Sequence, residues 1–235
     1  MDNQYYWAEK NERAKIAVAH TEDMKKRFGN EIKWSIANSH IYGPGAVKNV
    51  PAVSDRNTEI ILAACGSVEG IMKGYVEGEK IAVLNFASYR NPGGMFLAGS
   101  RAQEECLCHE SFLYNVLEHF PDYYAWNEGH KNRALYTDRA IYSPMVAFEH
   151  DNVMMPADVI TCAAPNLSWA IRYNNEDAKS DNVGILRNRI KFVLDIAAVE
   201  GVDTLVLGAF GCGVFKQDAT EVANDFIDFL ETTHK

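Results

Sequence analysis

Residues 85–118 read NFASYRNPGGMFLAGSRAQEECLCHESFLYNVLE, and the rest of the chain is organised around this stretch. The apolar residues 81–84 lead into it and predict the end of a buried strand. The PGG sequence at 92–94 predicts a loop, because Pro and paired Gly break regular structure and let backbone amides approach a ligand. The QEE sequence at 103–105 then begins a helical pattern. A strand, a glycine loop and an acidic helix start are the parts of a small anion-binding catalytic site.

The composition is that of a soluble globular protein, with 47% hydrophobic and 23% charged residues in a chain of 235, long enough for one domain. No apolar run approaches the roughly 18 residues that span a bilayer, and the polar N-terminus is not a signal peptide. The net charge is −9 without a block of Lys or Arg, so direct nucleic-acid binding is not expected. Five cysteines without a CxxC pair predict reduced thiols in a cytoplasmic protein.

Hydrophobic periodicity and turn residues predict the secondary structure along the chain. The predicted helices are 5–28, 67–75, 100–120, 182–199 and 218–230. The predicted extended segments are 32–41, 59–64, 81–86, 140–142, 146–148, 158–163 and 204–207, with a turn at 42–45 and an aromatic loop from 121 to about 137. Strands that alternate with helices predict a three-layer α/β sandwich with a mixed, mainly parallel sheet.

The acidic helix start has a structural interpretation beside the catalytic one. Ser100 and Gln103 fit a capping box, and acidic residues in a first helical turn suit the helix dipole. The glycine loop about ten residues upstream favours catalysis, because a helix cap alone does not need it. Adjacent helical residues diverge by about 100°, so Glu104 and Glu105 are not expected to face one bond.

A second glycine-rich stretch, GAFGCGVF at 208–215, follows the apolar residues 204–207 and precedes a helix start. It is not a Walker A loop, because Val214 stands where Lys is required. Three glycines in six residues favour a close approach of the backbone to a diphosphate, and a tight strand-to-helix turn is the alternative. Phe210 and Phe215 are predicted either to contact a ribose or base or to pack in the core.

The strand exit and the cysteines carry further candidates. Asn85, Ser88 and Asn91 line the entry to the first loop, where they either contact ligand or cap the loop. The cysteines near the site are interpreted as packing residues, because no His is placed by a motif to activate them: Cys106, Cys108 and Cys212. No metal site is predicted, because Cys106, Cys108 and His109 point around a helix rather than converge.

The spacing from PGG to QEE resembles the signature of poly(ADP-ribose) glycohydrolases, above all the short bacterial type. That signature is a run of three glycines followed at a short interval by Gln-Glu-Glu, and Met95 stands at the third glycine. Further segments resemble the same family in the same order: LNFAS at 84–88, IYSPMVAF at 141–148, VITCAAPNL at 159–167 and LGAFGCGVF at 207–215. The resemblance implies a macrodomain-like α/β/α sandwich of one domain, 1–235, with residues 1–50 as an N-terminal helical extension packed on the core.

The resemblance also implies roles for particular residues. Glu105 and Glu104 would be the catalytic pair, with Glu105 as the acid and Glu104 in contact with a ribose hydroxyl. The residue at the Ser88 position would contact the terminal ribose. The full set of predicted ligand-binding residues is Asn85, Ser88, Asn91, Gly93, Gly94, Met95, Gln103, Gly208, Ala209, Phe210, Gly211, Cys212, Gly213, Val214 and Phe215.

The predicted function is hydrolysis of ribose–ribose O-glycosidic bonds in poly(ADP-ribose), which releases ADP-ribose without a metal or redox cofactor. The chemistry needs a carboxyl group that protonates the leaving oxygen and then activates water. The expected partners are poly- or mono-ADP-ribosylated macromolecules, not membranes, and the sequence leaves the oligomeric state open. Two alternatives are a hydrolase of single ADP-ribose groups and a non-catalytic ADP-ribose-binding macrodomain.

Overall fold

The computed structural model describes residues 3–48, 50, 58–174 and 177–234. Five strands form one sheet in this part of the chain: β1 (His40–Tyr42), β2 (Ile81–Phe86), β3 (Ala140–His150), β4 (Val153–Cys162) and β5 (Thr204–Val206). Their order across the sheet is β1-β3-β4-β2-β5. Strands β1, β3 and β4 pair antiparallel, whereas β4, β2 and β5 pair parallel. The sheet is therefore mixed, as the alternation of strands and helices predicted.

Helices cover both faces of this sheet. They are α1 (Asn3–Arg27), α2 (Gly29–Asn38), α3 (Ser67–Gly74), α4 (Gln103–His109), α5 (Leu113–Leu117), α6 (Pro121–Gly129), α7 (Leu167–Asn174), α8 (Asp177–Val199) and α9 (Ala219–Glu231), with short 3₁₀ turns at Phe96–Ala98 and Asn132–Ala134. No helix in the described ranges is long and apolar enough to cross a membrane.

The three layers follow from the alternation of side chains along each strand. In β2, Val83 faces a core formed with α1 to α6, whereas Leu84 faces a second core formed with α8 and α9. The two cores lie on opposite faces of one sheet. The predicted three-layer α/β/α sandwich is confirmed.

The carboxyl ends of the three parallel strands place the functional loops. Strands β4, β2 and β5 are neighbours and run in the same direction, so the segments that follow them leave from one edge of the sheet. Ligands of open α/β sheets bind at this edge. The first loop is residues 87–102, after β2, and the second loop is residues 207–218, after β5.

The N-terminal region is helical over most of its length. The predicted helix 5–28 is confirmed as α1, but the predicted extended segment 32–41 is wrong, because α2 covers most of it. Phe28, Ile32 and Ile36 recur every four residues and pack on the core, which is helical spacing. Ser35 Oγ donates to the Pro144 carbonyl at 2.6 Å and ties α2 to β3. Residues 1, 2 and 49 of the proposed extension lie outside the described ranges, and the single domain 1–235 stays a prediction.

The predicted helix 100–120 is wrong, because it is two helices, α4 and α5, that a break at 110–112 separates. Ser111 causes the break through its side chain, whose Oγ donates to the Leu107 carbonyl and accepts from Leu113 N. The backbone of Ser111 also bridges to Phe148 in β3. A serine that binds its own backbone in this way competes with helix continuation.

Other segments differ in smaller ways. The predicted aromatic loop after 120 contains α6, which Pro121 begins at a position where a missing N–H costs nothing. The predicted strand 59–64 is wrong, since its backbone joins no sheet and Leu62 is 92% exposed. The predicted pieces 140–142 and 146–148 belong to one strand, β3, with a bulge between Ser143 and Val146. Helix α7 was not predicted.

Candidate active site

The QEE sequence forms the first turn of α4 and lies under the first loop. Glu104 and Glu105 are both buried. The predicted capping box of Ser100 and Gln103 is wrong, because the helix begins after Ala102. Gln103 instead joins α4 to the sheet: its Oε1 accepts from Phe86 N at 2.8 Å, and its Nε2 donates to the Leu84 carbonyl at 2.9 Å. Gln103 therefore fixes the helix start against the end of β2.

Glu104 is held by the strand exit. Its Oε1 accepts from Asn85 Nδ2 at 3.2 Å, and its Oε2 accepts from Ser88 N at 2.7 Å. Asn85 is itself buried, and its Nδ2 also donates to Thr161 Oγ1 at 3.3 Å. Burial raises the pKa of Glu104 to about 8, although these hydrogen bonds oppose the rise. Burial therefore favours the protonated form of this carboxyl group, whereas its hydrogen bonds favour the charged form.

Glu105 is held by the first loop. Its Oε1 accepts from Met95 N at 2.9 Å, and its Oε2 accepts from Ala102 N at 2.8 Å. The second contact caps α4, since a side chain at the third helical position satisfies a free amide of the first turn. Glu105 therefore both caps the helix and lies beside the glycine loop, so the structural and the catalytic interpretations of the acidic helix start are compatible.

Both carboxyl groups reach Gly94, although they start from adjacent helical positions that diverge. A Cβ added to Gly94 would lie 2.6 Å from Glu105 Oε1 and 2.9 Å from Glu104 Oε2. Gly93 and Gly94 both have φ +63°, a conformation that side chains disfavour. The loop wraps around the helix start and brings two neighbouring carboxylates to one backbone position.

Most amides of the first loop are occupied by contacts within the protein. Besides the amides that bind the two carboxylates, five donate to loop carbonyls: Gly94, Phe96, Ala98, Gly99 and Ser100. Ser88 Oγ accepts from the amides of Arg90 and Asn91, so the Ser88 side chain caps the loop, as the structural alternative for this residue predicted. The first loop therefore has few free donors for an anion, and its main task is to hold the carboxylates.

The second loop offers free donors. Within the described part of the chain, the amides of Gly213, Val214 and Phe215 donate no hydrogen bond. Gly213 has no atom within 4 Å of an added Cβ, and Val214 is 74% exposed. Successive unpaired amides next to a helix start suit an anion such as a diphosphate. Of the other predicted residues of this loop, Gly208 and Ala209 are exposed, whereas Gly211 and Cys212 are half-buried.

The phenylalanines of the second loop have different environments. Phe210 is fully buried and packs on Phe86, with ring centroids 5.8 Å apart, so its role is in the core. Phe215 is partly exposed and meets Tyr136 edge-on at 6.1 Å. Tyr136 stacks on Tyr89 of the first loop at 4.0 Å. This aromatic row links the two loops, and its members follow no periodic pattern from which it could be predicted.

Three further residues support the site and were not predicted. Thr161 holds Asn85 from β4. Gln217 ends the second loop, donates to the Pro165 carbonyl at 2.7 Å and exchanges hydrogen bonds with Asn182. Arg13 of α1, which is 86 residues earlier in the sequence, donates to the Gly99 carbonyl at 2.9 Å. Contacts so distant in sequence have no local pattern, so one sequence cannot reveal them.

The cysteines behave as packing residues in part. Cys108 is buried, and a Cβ at Gly93 would lie 3.2 Å from its sulfur. Cys106 is exposed, so the prediction that it packs is wrong, since its position in α4 faces solvent. Burial raises the pKa of the Cys108 and Cys212 thiols, which keeps these two uncharged.

Two buried carboxyl groups at the carboxyl edge of a mixed sheet, one of them with a raised pKa, suit the chemistry of acid–base hydrolases. The comparison with protein families agrees. The sequence model of the microbial-type PARG catalytic domain matches residues 8–151, more than half of the chain. This chain therefore belongs to the family of microbial-type poly(ADP-ribose) glycohydrolases.

Solved structures agree with the family. Poly(ADP-ribose) glycohydrolase from Thermomonospora curvata matches with a TM-score of 0.83 and 30% identity over 93% of this chain and 87% of the other. The enzyme from Deinococcus radiodurans in complex with ADP-ribose gives 0.81 and 31% identity over 88% and 86%. The Thermomonospora enzyme bound to the inhibitor ADP-HPD gives 0.76 and 30% identity over 93% and 86%. Among curated protein sequences, none shows a significant match to this chain.

Proposed function

We propose that the protein hydrolyses the ribose–ribose O-glycosidic bonds of poly(ADP-ribose), with Glu105 as the general acid and base. The observation that carries the proposal is the convergence of the Glu104 and Glu105 carboxylates on Gly94, within a chain of the poly(ADP-ribose) glycohydrolase family. The Deinococcus enzyme binds ADP-ribose, and ADP-ribose is the product that this reaction releases.

The reaction needs one carboxyl group that acts twice. Protonated Glu105 donates its proton to the leaving ribose oxygen while the bond from that oxygen to the anomeric carbon breaks, which leaves an oxocarbenium-like ribose. The Glu105 carboxylate then takes a proton from water, and the water oxygen bonds to the anomeric carbon. The products are ADP-ribose and a polymer shortened by one unit, and Glu105 is again protonated.

Glu104 is the rival for the acid role, because burial raises its pKa to about 8. Its Oε1 is held by Asn85 at the end of β2, and its Oε2 is held by the amide of Ser88 at the start of the first loop. Glu105 is held by loop amides alone, and those two contacts leave a carboxylate next to Gly94 with further acceptor capacity. We therefore assign proton transfer to Glu105 and ribose-hydroxyl binding to Glu104.

The second loop is proposed to hold the diphosphate of ADP-ribose on the free amides of 213–215. Ligand that binds only the native state raises the melting temperature, so millimolar ADP-ribose should stabilise the protein. Absence of any shift would overturn the ligand assignment.

The five free cysteines suit a reducing compartment, and the proposal therefore places the enzyme in the cytoplasm.

Substitution of Glu105 by glutamine tests the acid role. An amide of the same shape cannot transfer the proton, so Glu105→Gln should lower turnover about 10²–10⁴-fold and keep most ADP-ribose affinity. Turnover is measured as ADP-ribose released from automodified polymer, with Glu231→Gln, exposed at the end of α9, as the matched control.

Three outcomes would change the proposal. Full activity of Glu105→Gln together with a large loss in Glu104→Gln would transfer the acid role to Glu104. Release of ADP-ribose from mono-ADP-ribosylated protein but not from polymer would identify a hydrolase of single groups. Tight ADP-ribose binding by a wild-type protein that hydrolyses neither substrate would identify a non-catalytic reader.

A further inference from the structure

Helix α7 carries an exposed aromatic pair beside the second loop. Trp169 and Tyr173 are one helical turn apart, and their rings stack with centroids 5.0 Å apart at an angle of 20°. Trp169 is 47% exposed and Tyr173 is 62% exposed. The guanidinium of Arg172 lies 5.8 Å and 5.9 Å from the two ring centroids. This group of three residues, the α7 cluster, presents aromatic surface and a positive charge to solvent.

The start of α7 is fixed to the site. Ser168 N donates to the Phe215 carbonyl at 3.1 Å, so the cluster begins one residue from a contact with the second loop. Asn166 is buried, and its Oδ1 accepts from Trp169 N at 3.1 Å, which caps the helix. Its backbone N donates to the Ala134 carbonyl at 2.9 Å. These contacts hold the α7 cluster at the rim of the loop that is proposed to bind diphosphate.

The chemistry of the cluster matches a nucleoside diphosphate. Exposed aromatic faces stack on bases, and arginine both pairs with phosphate and stacks. The chain as a whole has a net charge of −9, which repels an anionic polymer, and a cation at the rim lowers that repulsion locally. Each unit of poly(ADP-ribose) supplies an adenine and a diphosphate.

We propose that Trp169, Arg172 and Tyr173 form a second binding site, which takes the adenosine diphosphate portion of the ADP-ribose unit adjacent to the one held at the second loop. The adenine stacks on the exposed aromatic pair, and Arg172 binds the phosphate oxygens. This inference rests on the proposed function, because it concerns the same polymer.

Such a site contributes to binding of the polymer equally in the ground state and in the transition state. Its loss therefore raises KM and leaves kcat unchanged. Loss of base stacking on an aromatic side chain should raise KM by about fivefold to a hundredfold. Free ADP-ribose occupies the site at the second loop and does not need the α7 cluster, so its dissociation constant stays the same.

The test compares the full-length wild type with Trp169→Ala, Tyr173→Ala and the double variant. The control is Trp34→Ala, which removes an equally exposed tryptophan from α2, far from the site in sequence. KM and kcat are measured on long automodified polymer, and the dissociation constant of free ADP-ribose is measured by calorimetry. We expect a raised KM only in the α7 variants, with Trp169→Phe close to the wild type.

An unchanged KM in the double variant would overturn the inference while the proposed function stands. An equal loss of affinity for free ADP-ribose would also overturn it, because the cluster would then belong to the first unit. A wild type without polymer hydrolysis would overturn the proposed function instead. Filter retention of polymer by the wild type and the double variant then tests the α7 cluster, and equal retention would reject it.

Discussion

The two glycine loops differ in what their backbones already do. The first loop uses its amides on Glu104, Glu105 and its own carbonyls, and Gly99 lies directly against α1. The second loop is fixed at Phe210 and Gln217 but leaves three successive amides free between them. The difference teaches that two glycine-rich stretches in one site have different tasks. Under the proposed function, the first loop orients the acid–base groups before substrate arrives, and the second supplies free amides for the diphosphate.

Addition of a methyl group to each loop should separate these tasks most strongly. In Gly94→Ala the new Cβ would press on both carboxylates at a φ of +63°, so the acid must move. A displacement of about 1 Å costs about 10²-fold in rate, and we expect kcat to fall at least that far. Gly213→Ala meets nothing within 4 Å and should keep kcat near wild type. Equal losses in both variants, measured by ADP-ribose release, would reject the division of tasks.

The protonation of Glu104 should appear as a pH dependence of stability. Burial raises its folded pKa to about 8 from the usual 4.5, so between these values the native state binds a proton that the unfolded state has released. The stability that this proton contributes is fully present below about pH 4.5 and is lost as the pH rises through 8. Glu104→Gln removes this proton, so its melting temperature should decline less over that range. Parallel pH profiles of the two proteins would contradict a protonated Glu104.

The support from α1 should have a smaller effect. Arg13 donates to the Gly99 carbonyl at 2.9 Å, and a charged donor in such a contact contributes about 1.5–3 kcal/mol. Arg13→Ala should lower the free energy of unfolding by about that amount and reduce kcat more than it changes KM, because the loop that holds Glu105 loosens. Lys15→Ala, on an exposed face of the same helix, is the control in urea unfolding. A loss of equal size in both variants would mean that α1 stabilises the protein without a specific contribution from the contact between Arg13 and Gly99.

The first loop could be predicted from sequence because its determinants are local. Proline, paired glycines and QEE lie within one short stretch, and the buried strand before them is a continuous apolar run. The break at Ser111 could not be predicted, since a serine does not by itself end a helix and the second contact of Ser111, the bridge to Phe148, is to a distant strand. The sequence predicts an extended segment at 32–41 because Trp34 and Ile36 favour strands locally. The segment is helical because Ile32 and Ile36 pack, at helical spacing, on a core whose residues lie mostly later in the sequence.

The position of the two carboxylates shows the same limit within the site. Helical geometry predicted that Glu104 and Glu105 diverge, and the helix indeed directs them to different donors, Asn85 and Ser88 for one and Met95 and Ala102 for the other. The loop closes over both and brings them to Gly94. A single-sequence pattern describes one element at a time, and this convergence belongs to two.

Met95 gives the mildest test of the comparison, because it departs from the family glycine inside the more constrained loop. Its φ of −112° and ψ of 33° do not require glycine. Its contribution to the site is its backbone N–H, which donates to Glu105 Oε1 and which glycine would also supply. The side chain is 50% exposed. We expect Met95→Gly to cost at most about 1 kcal/mol of stability through backbone entropy.

Activity should separate the two interpretations of this methionine. If the backbone alone matters, kcat/KM of Met95→Gly for polymer stays close to wild type in the ADP-ribose release assay, and this is the result we expect. A tenfold rise in kcat/KM would show instead that the methionine side chain narrows the ribose or diphosphate pocket. A large loss of kcat in a folded variant would contradict both, because the side chain would then shape the first loop around Glu105. Met95→Ala, which removes the side chain but keeps the backbone restricted, is the control that separates flexibility from size.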